Sequence, residues 1–478
     1  MIQRLHLAAV AAILALSACG GGGTTKSFTN PIPPGTPTVG ATQQATLRIA
    51  GVGDSLTAGV QSGQLSVGTQ PNGFFSLLYA QANQGGNFAA NASPATSVLP
   101  LIAPTGLPGQ GNCLDGSAQA AMTVSGALAF RLNPTVTPYD LGVPGQTTGD
   151  AVAMIGPQGT CLLPPPGSPL LAGANAQTQA FAGLNALIFS ESISFYPVLG
   201  TFGSNVTQLQ SAEALHPTAA TVWLGSNELL KYIFSVGNVQ VPTPAAYGQS
   251  LSAIISGLRS SGASAIAVSN LVDVLHAALF VPAGNVVPTL ATQAAIAAGA
   301  PPGSPAFAPT YNAIAAQMTP YVTAVETANG VLPSGYVMLP GLQILAAQLQ
   351  SGHPQPVTFQ AGQFVPNSVA VQAQSLNDAY NATIRQVVAS AGAGVALVDI
   401  HAALQTPPTI PGTHCCTAVY GGGLTSLDGL HPSNTGYAFI AQAFIGTFDQ
   451  QLGLAIPPLS NAQIAAIYAT DPYAPNPR

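Results

Sequence analysis

Charged side chains are rare in this sequence: 8 Lys plus Arg and 14 Asp plus Glu among 478 residues, 5% of the chain. An ordinary soluble domain carries roughly 25%. Eight scattered cations do not build the basic face that a phosphate backbone requires, which argues against nucleic acid as a partner. Tryptophan occurs once, and aromatic-rich repeats for stacking on sugars are lacking. Beyond the first residues, no run reaches the ~18 uninterrupted apolar positions of a membrane-spanning helix. There is no fixed-period repeat and no block of like charge. Histidine and cysteine do not recur in two clusters at ligand spacing, so neither a metal nor an organic cofactor is expected.

What is present is apolar and rich in turns. The chain is 47% hydrophobic, with 52 glycines and 42 prolines, a loop-rich globular composition whose surface relies on Ser, Thr, Asn and Gln rather than on charge. The net charge of −6 bears on solubility, not on fold. Residues 1–18 read as a secretory leader: Arg4 is a positive n-region, and "LAAVAAILALSA" is a short apolar h-region ending in small residues. The junction "LSACG" resembles the bacterial lipobox. That resemblance implies lipid on Cys19, a tether over residues 19–44, and a cell-envelope lipoprotein of the outer membrane. Plain leader cleavage near Ala18 is the alternative.

Four other cysteines remain: Cys113, Cys161, Cys415 and Cys416. In an oxidising envelope an even number favours disulfides. Cys113 and Cys161 flank one loop block and are the first-choice pair. "THCCT" contains His414 beside two thiols, but no second cluster completes a metal site, so a vicinal or cross-loop disulfide is favoured there.

From residue 45 onward, apolar strands alternate with helices. "ATLRIAGVGDS" reads as a buried strand ending in glycine, and "LGVPGQTTG" as a second strand-to-turn segment. "ATVWLG", "SAIAVSN" and "VALVDI" each follow an amphipathic helix and a turn. This alternation argues for one α/β domain, residues 45–478, around a mostly parallel sheet covered on both faces. Loop-rich insertions interrupt it at about 85–133, 150–205 and 276–370, the last with short helical stretches. In such sheets ligands sit beyond the carboxyl ends of the strands, where Ser55, Asn227 and Asp399 all fall.

Four short pieces carry the chemistry. "GDSL" (Gly53–Leu56), "LGVPGQTTG", "GSNE" and "DGLHP" stand in the order of the four blocks of the GDSL, or SGNH, hydrolases, and the chain resembles that family. The resemblance implies a flavodoxin-like, three-layer α/β/α sandwich and a serine esterase or lipase. It makes Ser55 the nucleophile and His431 and Asp428 its triad partners. It also implies an oxyanion hole from the backbone N–H groups of Ser55 and Gly145 and the side-chain amide of Asn227. Elementary chemistry agrees about the triad. A serine hydroxyl needs a base to take its proton during attack, and neutral imidazole suits that task. His431, one of seven histidines, has an acid three positions earlier in a loop, able to fix its tautomer. Asp54 then shapes the turn rather than serving as triad acid.

Blander readings stand beside these. Asp399 with His401 in "LVDIH" matches no family block and reads as structural. Asn227 by itself suits a helix cap, and Gly145 by itself a turn. Glu228 stands where the family usually has Asp, which puts the fine geometry of the Asn227 loop in question. The insertions either wall the substrate site or pack beside the domain. The implied substrate is a small-molecule or lipid ester. A glycan O-acetylesterase of the same fold and a catalytically silent, lipid-anchored binding module are the alternatives.

Overall fold

The computed structural model describes residues 46–107, 123–156, 191–410, 415–417 and 420–474, together with Leu184 and Thr413. Cys19, Cys113, Cys161 and His414, and with them the leader, the tether and the first-choice disulfide, lie outside the described residues.

The central sheet follows from the apolar runs. Strands β1 (Ile49–Gly53), β2 (Ala219–Trp223), β3 (Ala265–Ser269) and β7 (Val395–Val398) lie side by side in that order. All three pairings are parallel. The first three strands are buried along their whole length, as strands covered on both faces must be. On the free side of β1, the 139–143 segment runs parallel to it. Gly51 donates to Tyr139 O (2.8 Å), while Leu141 and Val143 donate to Gly51 O (2.9 Å) and Gly53 O (3.0 Å). With that segment counted as the second strand in chain order, the spatial order is the flavodoxin-like 2-1-3-4-5.

One face of the sheet is covered by the Phe74–Asn83 and Asn434–Gln450 helices, which pack on each other. Between them Trp223 meets Phe74 and Phe444 at centroid distances of 5.6 and 6.2 Å. The other face carries the Gln208–Ala214, Pro244–Ser260 and Asn367–Ala391 helices. The architecture is the expected three-layer α/β/α sandwich.

Residues 276–370 depart from the expected loop. They form a second sheet, antiparallel, from β4 (Phe280–Pro282), β5 (Tyr336–Met338) and β6 (Phe364–Val365). Three substantial helices accompany it: Ala283–Ala297, Phe307–Ala328 and Leu339–Gln350. Pro288 and Pro320 stand inside the first two, where proline normally signals an end. Strands of two or three residues carry no readable alternation. The unit grips the main domain at its base, where Leu279 N–H donates to Gly429 O (2.8 Å).

Asp140 lies in the edge segment, 1% exposed, with Oδ1 accepting from Gly142 N–H at 3.0 Å. Burial pushes its carboxyl up to about 8, against the opposing pull of that N–H. In the unfolded chain the group ionises near pH ~4. The folded state therefore holds a proton that the unfolded state has lost, and stability declines as pH rises from about 4 to about 8. Asp140→Asn keeps the carbonyl acceptor and removes the titration. Thermal denaturation between about pH 5 and 8 should show a flatter decline and a higher Tm than wild type at the alkaline end.

Candidate active site

The Ser55 turn begins where β1 stops. Gly53 is obligatory there, because a Cβ at this position would lie 2.9 Å from Trp223 O and run into the Thr57 side chain. Asp54 caps the short Ser55–Ala58 helix, its Oδ1 accepting from Leu56 N–H at 2.9 Å. Ser55 is thus lifted to the carboxyl edge of the sheet, 8% exposed. His431 arrives on the loop before the Asn434–Gln450 helix, 376 positions later, with Nε2 at 2.9 Å from Ser55 Oγ. Its Nδ1 lies 2.7 Å from Asp428 Oδ2. A carboxylate acceptor on Nδ1 requires the proton on that nitrogen, which leaves Nε2 free to accept from the serine.

Three buried acids surround this line, and their surroundings drive them apart. Burial alone would raise Asp428. The imidazole of His431 outweighs it, together with the backbone N–H groups of Leu430 and His431 on Oδ1 (both 2.9 Å), and holds the carboxyl below its ordinary range. Gly63 N–H adds a further bond to Oδ2 at 2.7 Å. Asp54 has the Leu56 N–H and one amide N–H of Asn227 (3.1 Å). Burial, reinforced by the nearby Glu228 charge, pushes it up to about 7. Glu228 is raised as well, again through burial, against the pull of Thr148 N–H and of Lys231. Of the three, the environment of Asp428 alone favours ionisation, which is the property required of a residue facing an imidazolium.

Gly145 sits buried on the loop after the edge segment at φ 85°, a left-handed conformation that glycine adopts without strain. Neither its backbone N–H nor that of Ser55 has an acceptor among the described residues. Asn227 is the second residue of the Ser226–Phe234 helix, whose cap is Gly225, so it does not cap the helix. Its Nδ2 instead donates to Asp54 Oδ2 (3.1 Å) and to Gln146 O (3.0 Å). The amide thus ties the Ser55 turn to the Gly145 loop.

Glu228 strengthens the same tie. Its Oε1 accepts from Thr148 N–H at 2.7 Å, and one turn further Lys231 Nζ lies 3.9 Å from Asp150 Oδ2. The longer acid therefore reaches across to the Gly145 loop, and the Asn227 amide keeps its place beside Asp54. A second brace has no sequence signal at all. Gln208, fully buried, donates from Nε2 to Gly53 O (2.7 Å) and Leu141 O (2.6 Å), clamping the ends of β1 and the edge segment together. Motif reading passes over it because a lone glutamine in a helix carries no pattern.

The remaining candidates fall elsewhere. Asp399 caps the Ile400–Gln405 helix, bonded to Ala402 N–H and to Asn270 Nδ2, while His401 Nε2 meets Gln405 Nε2. That pair is structural. Cys415 and Cys416 are joined by a disulfide. Among the described residues no group of three or more His, Cys, Asp or Glu is arranged to hold a metal ion.

Sandwich and site together define a hydrolase of the α/β class with a serine, an imidazole and a carboxylate in line. A sequence model of the GDSL-like lipase/acylhydrolase family matches residues 49–444. The chain belongs to that family and is a hydrolase of ester substrates. No curated protein and no solved structure matches it.

The clamp between Glu228 and Thr148 is testable. Glu228→Gln retains an acceptor for the Thr148 N–H and should stay near wild-type kcat. Glu228→Ala releases the Gly145 loop and should lose roughly 10- to 100-fold in kcat with little change in KM. Steady-state kinetics on a soluble ester separates the two.

Proposed function

We propose that the protein hydrolyses carboxylic esters through an acyl-enzyme on Ser55. The observation that carries this reading is the buried relay from Asp428 Oδ2 to His431 (2.7 Å) and from His431 Nε2 to Ser55 Oγ (2.9 Å). In the first half-reaction Oγ attacks the ester carbonyl as its proton passes to Nε2. Asp428 stabilises the imidazolium that results. His431 then protonates the departing alkoxide, and in the second half it activates water against the acyl-enzyme by the reverse sequence.

The developing oxyanion is met by the N–H groups of Ser55 and Gly145 and by the Asn227 amide. Both amide protons of Asn227 have acceptors in the resting protein. During attack the oxyanion replaces one of them, so this bond is gained in the transition state rather than in the ground state. One donor of this kind is worth about 3–4 kcal/mol.

The leader and "LSACG" junction support an envelope lipoprotein held by lipid on Cys19, acting on small-molecule or lipid esters within reach of its tether. Two measurements test the chemistry. A fluorophosphonate probe should label the wild type and not Ser55→Ala, and p-nitrophenyl esters from acetyl to palmitoyl should be turned over by the wild type alone. Equal labelling of Ser55→Ala would leave a binding module as the reading.

A further inference from the structure

A cleft of about 420 Å³ opens beside the catalytic loop, within the ~300–1,000 Å³ typical of small-molecule sites. Its apolar lining includes Val272 and Ala277 from the turn after β3 and Leu404 from the helix after β7. Leu424, Leu430 and Pro432 complete it from the two arms of the loop that carries His431. Leu430 and Pro432 are the immediate neighbours of the histidine, so the wall of this cleft and the base are one piece of chain. Ser55 and His431 themselves stand outside its lining, as do the Gly145–Thr148 loop and the Ser226–Phe234 helix.

Resting on the reading of Ser55 as nucleophile, we propose that this cleft receives the alcohol half of the ester, and that the preferred substrates are esters of an apolar alcohol. When Oγ bonds to the carbonyl carbon, two oxygens on that carbon must be served on different sides. The carbonyl oxygen turns to the N–H groups of Ser55 and Gly145 and to Asn227. The other oxygen must face His431 Nε2, because the proton taken from Ser55 Oγ is delivered there as the carbon–oxygen bond breaks and the alcohol departs. The fold separates these two sides. Gly145 follows the edge segment on one flank of β1, whereas the cleft lies past β2, at the ends of β3 and β7. An aliphatic or aromatic alcohol fits the lining, and each methylene buried in it contributes about fourfold in affinity.

Two ester series on the full chain test this: acetates of alcohols from ethanol to decanol, and ethyl esters of acids of the same lengths. In the wild type kcat/KM should climb about fourfold per methylene with alcohol length until the cleft is full, and more steeply than with acyl length. Leu404→Trp and, independently, Ala277→Phe narrow the cleft and should flatten the alcohol dependence while sparing the acyl dependence; the Tm of each confirms folding. An alcohol dependence untouched by both variants, or an acyl dependence lost instead, overturns the proposal. Calorimetry of 1-octanol on Ser55→Ala supplies a readout without turnover, and binding weakened at least about tenfold by Leu404→Trp is expected. Ser55-dependent hydrolysis with no octanol binding overturns the cleft and leaves the nucleophile standing. Octanol binding with no hydrolysis in either series overturns the nucleophile, and the leaving-group role with it.

Discussion

The site depends on keeping one carboxylate ionised where water does not reach it. Asp428 is fully buried, and an isolated charge in such a place would take up a proton instead. The tight loop from Ser426 to His431 prevents this by folding its own N–H groups back onto Oδ1, with the Ser426 hydroxyl alongside at 3.3 Å. Gly63 N–H reaches Oδ2 from the segment after the Ser55 turn. That last bond joins the two ends of the domain at the acid itself. Asp54 and Glu228 are equally buried, receive fewer donors and are drawn toward neutrality. The division of labour among the three acids is set by the His431 imidazole beside Asp428, together with the number of backbone hydrogen bonds each acid receives.

Around this loop the parallel sheet does the positioning. Each strand delivers its following turn to the same edge: Ser55 after β1, Gly145 after the edge segment, Asn227 after β2. Cross-links between those turns then fix their spacing, through Asn227 to Asp54 and Gln146, Glu228 to Thr148, and Gln208 to Gly53 and Leu141. The 276–370 unit joins the same assembly. Its Leu279 N–H holds Gly429 O, between the acid and the base of the relay. It therefore braces the loop that carries Asp428 and His431 at its base.

Much of this was legible before any coordinates. The strand runs are short, apolar and bounded by glycine, so order and type could be read directly. The four motif blocks named Ser55, Gly145, Asn227, Asp428 and His431, and the structure brings Ser55, His431 and Asp428 into one line and hangs Asn227 and the Gly145 loop beside it. The second sheet was illegible because strands of two or three residues leave no period to read. Its companion helices were obscured by internal prolines. The clamps made by Gln208 and Glu228 act over 67 to 155 positions, and a single polar residue says nothing about a partner so far away. Asp54 was readable as a residue that shapes the turn, and the structure places it as the cap of the Ser55–Ala58 helix while Asp428 holds the imidazole.

The 376 positions between Ser55 and His431 also set an order in time. A ribosome works from the amino end, and a domain folds as a unit. The Ser55 hydroxyl is therefore made long before the His431 imidazole that lies beside it in the folded protein. Until the Asn434–Gln450 helix docks against the sheet and brings the loop before it into place, Ser55 stands without its imidazole neighbour. Hydrolysis through Ser55 would then report that the last of these layers has closed.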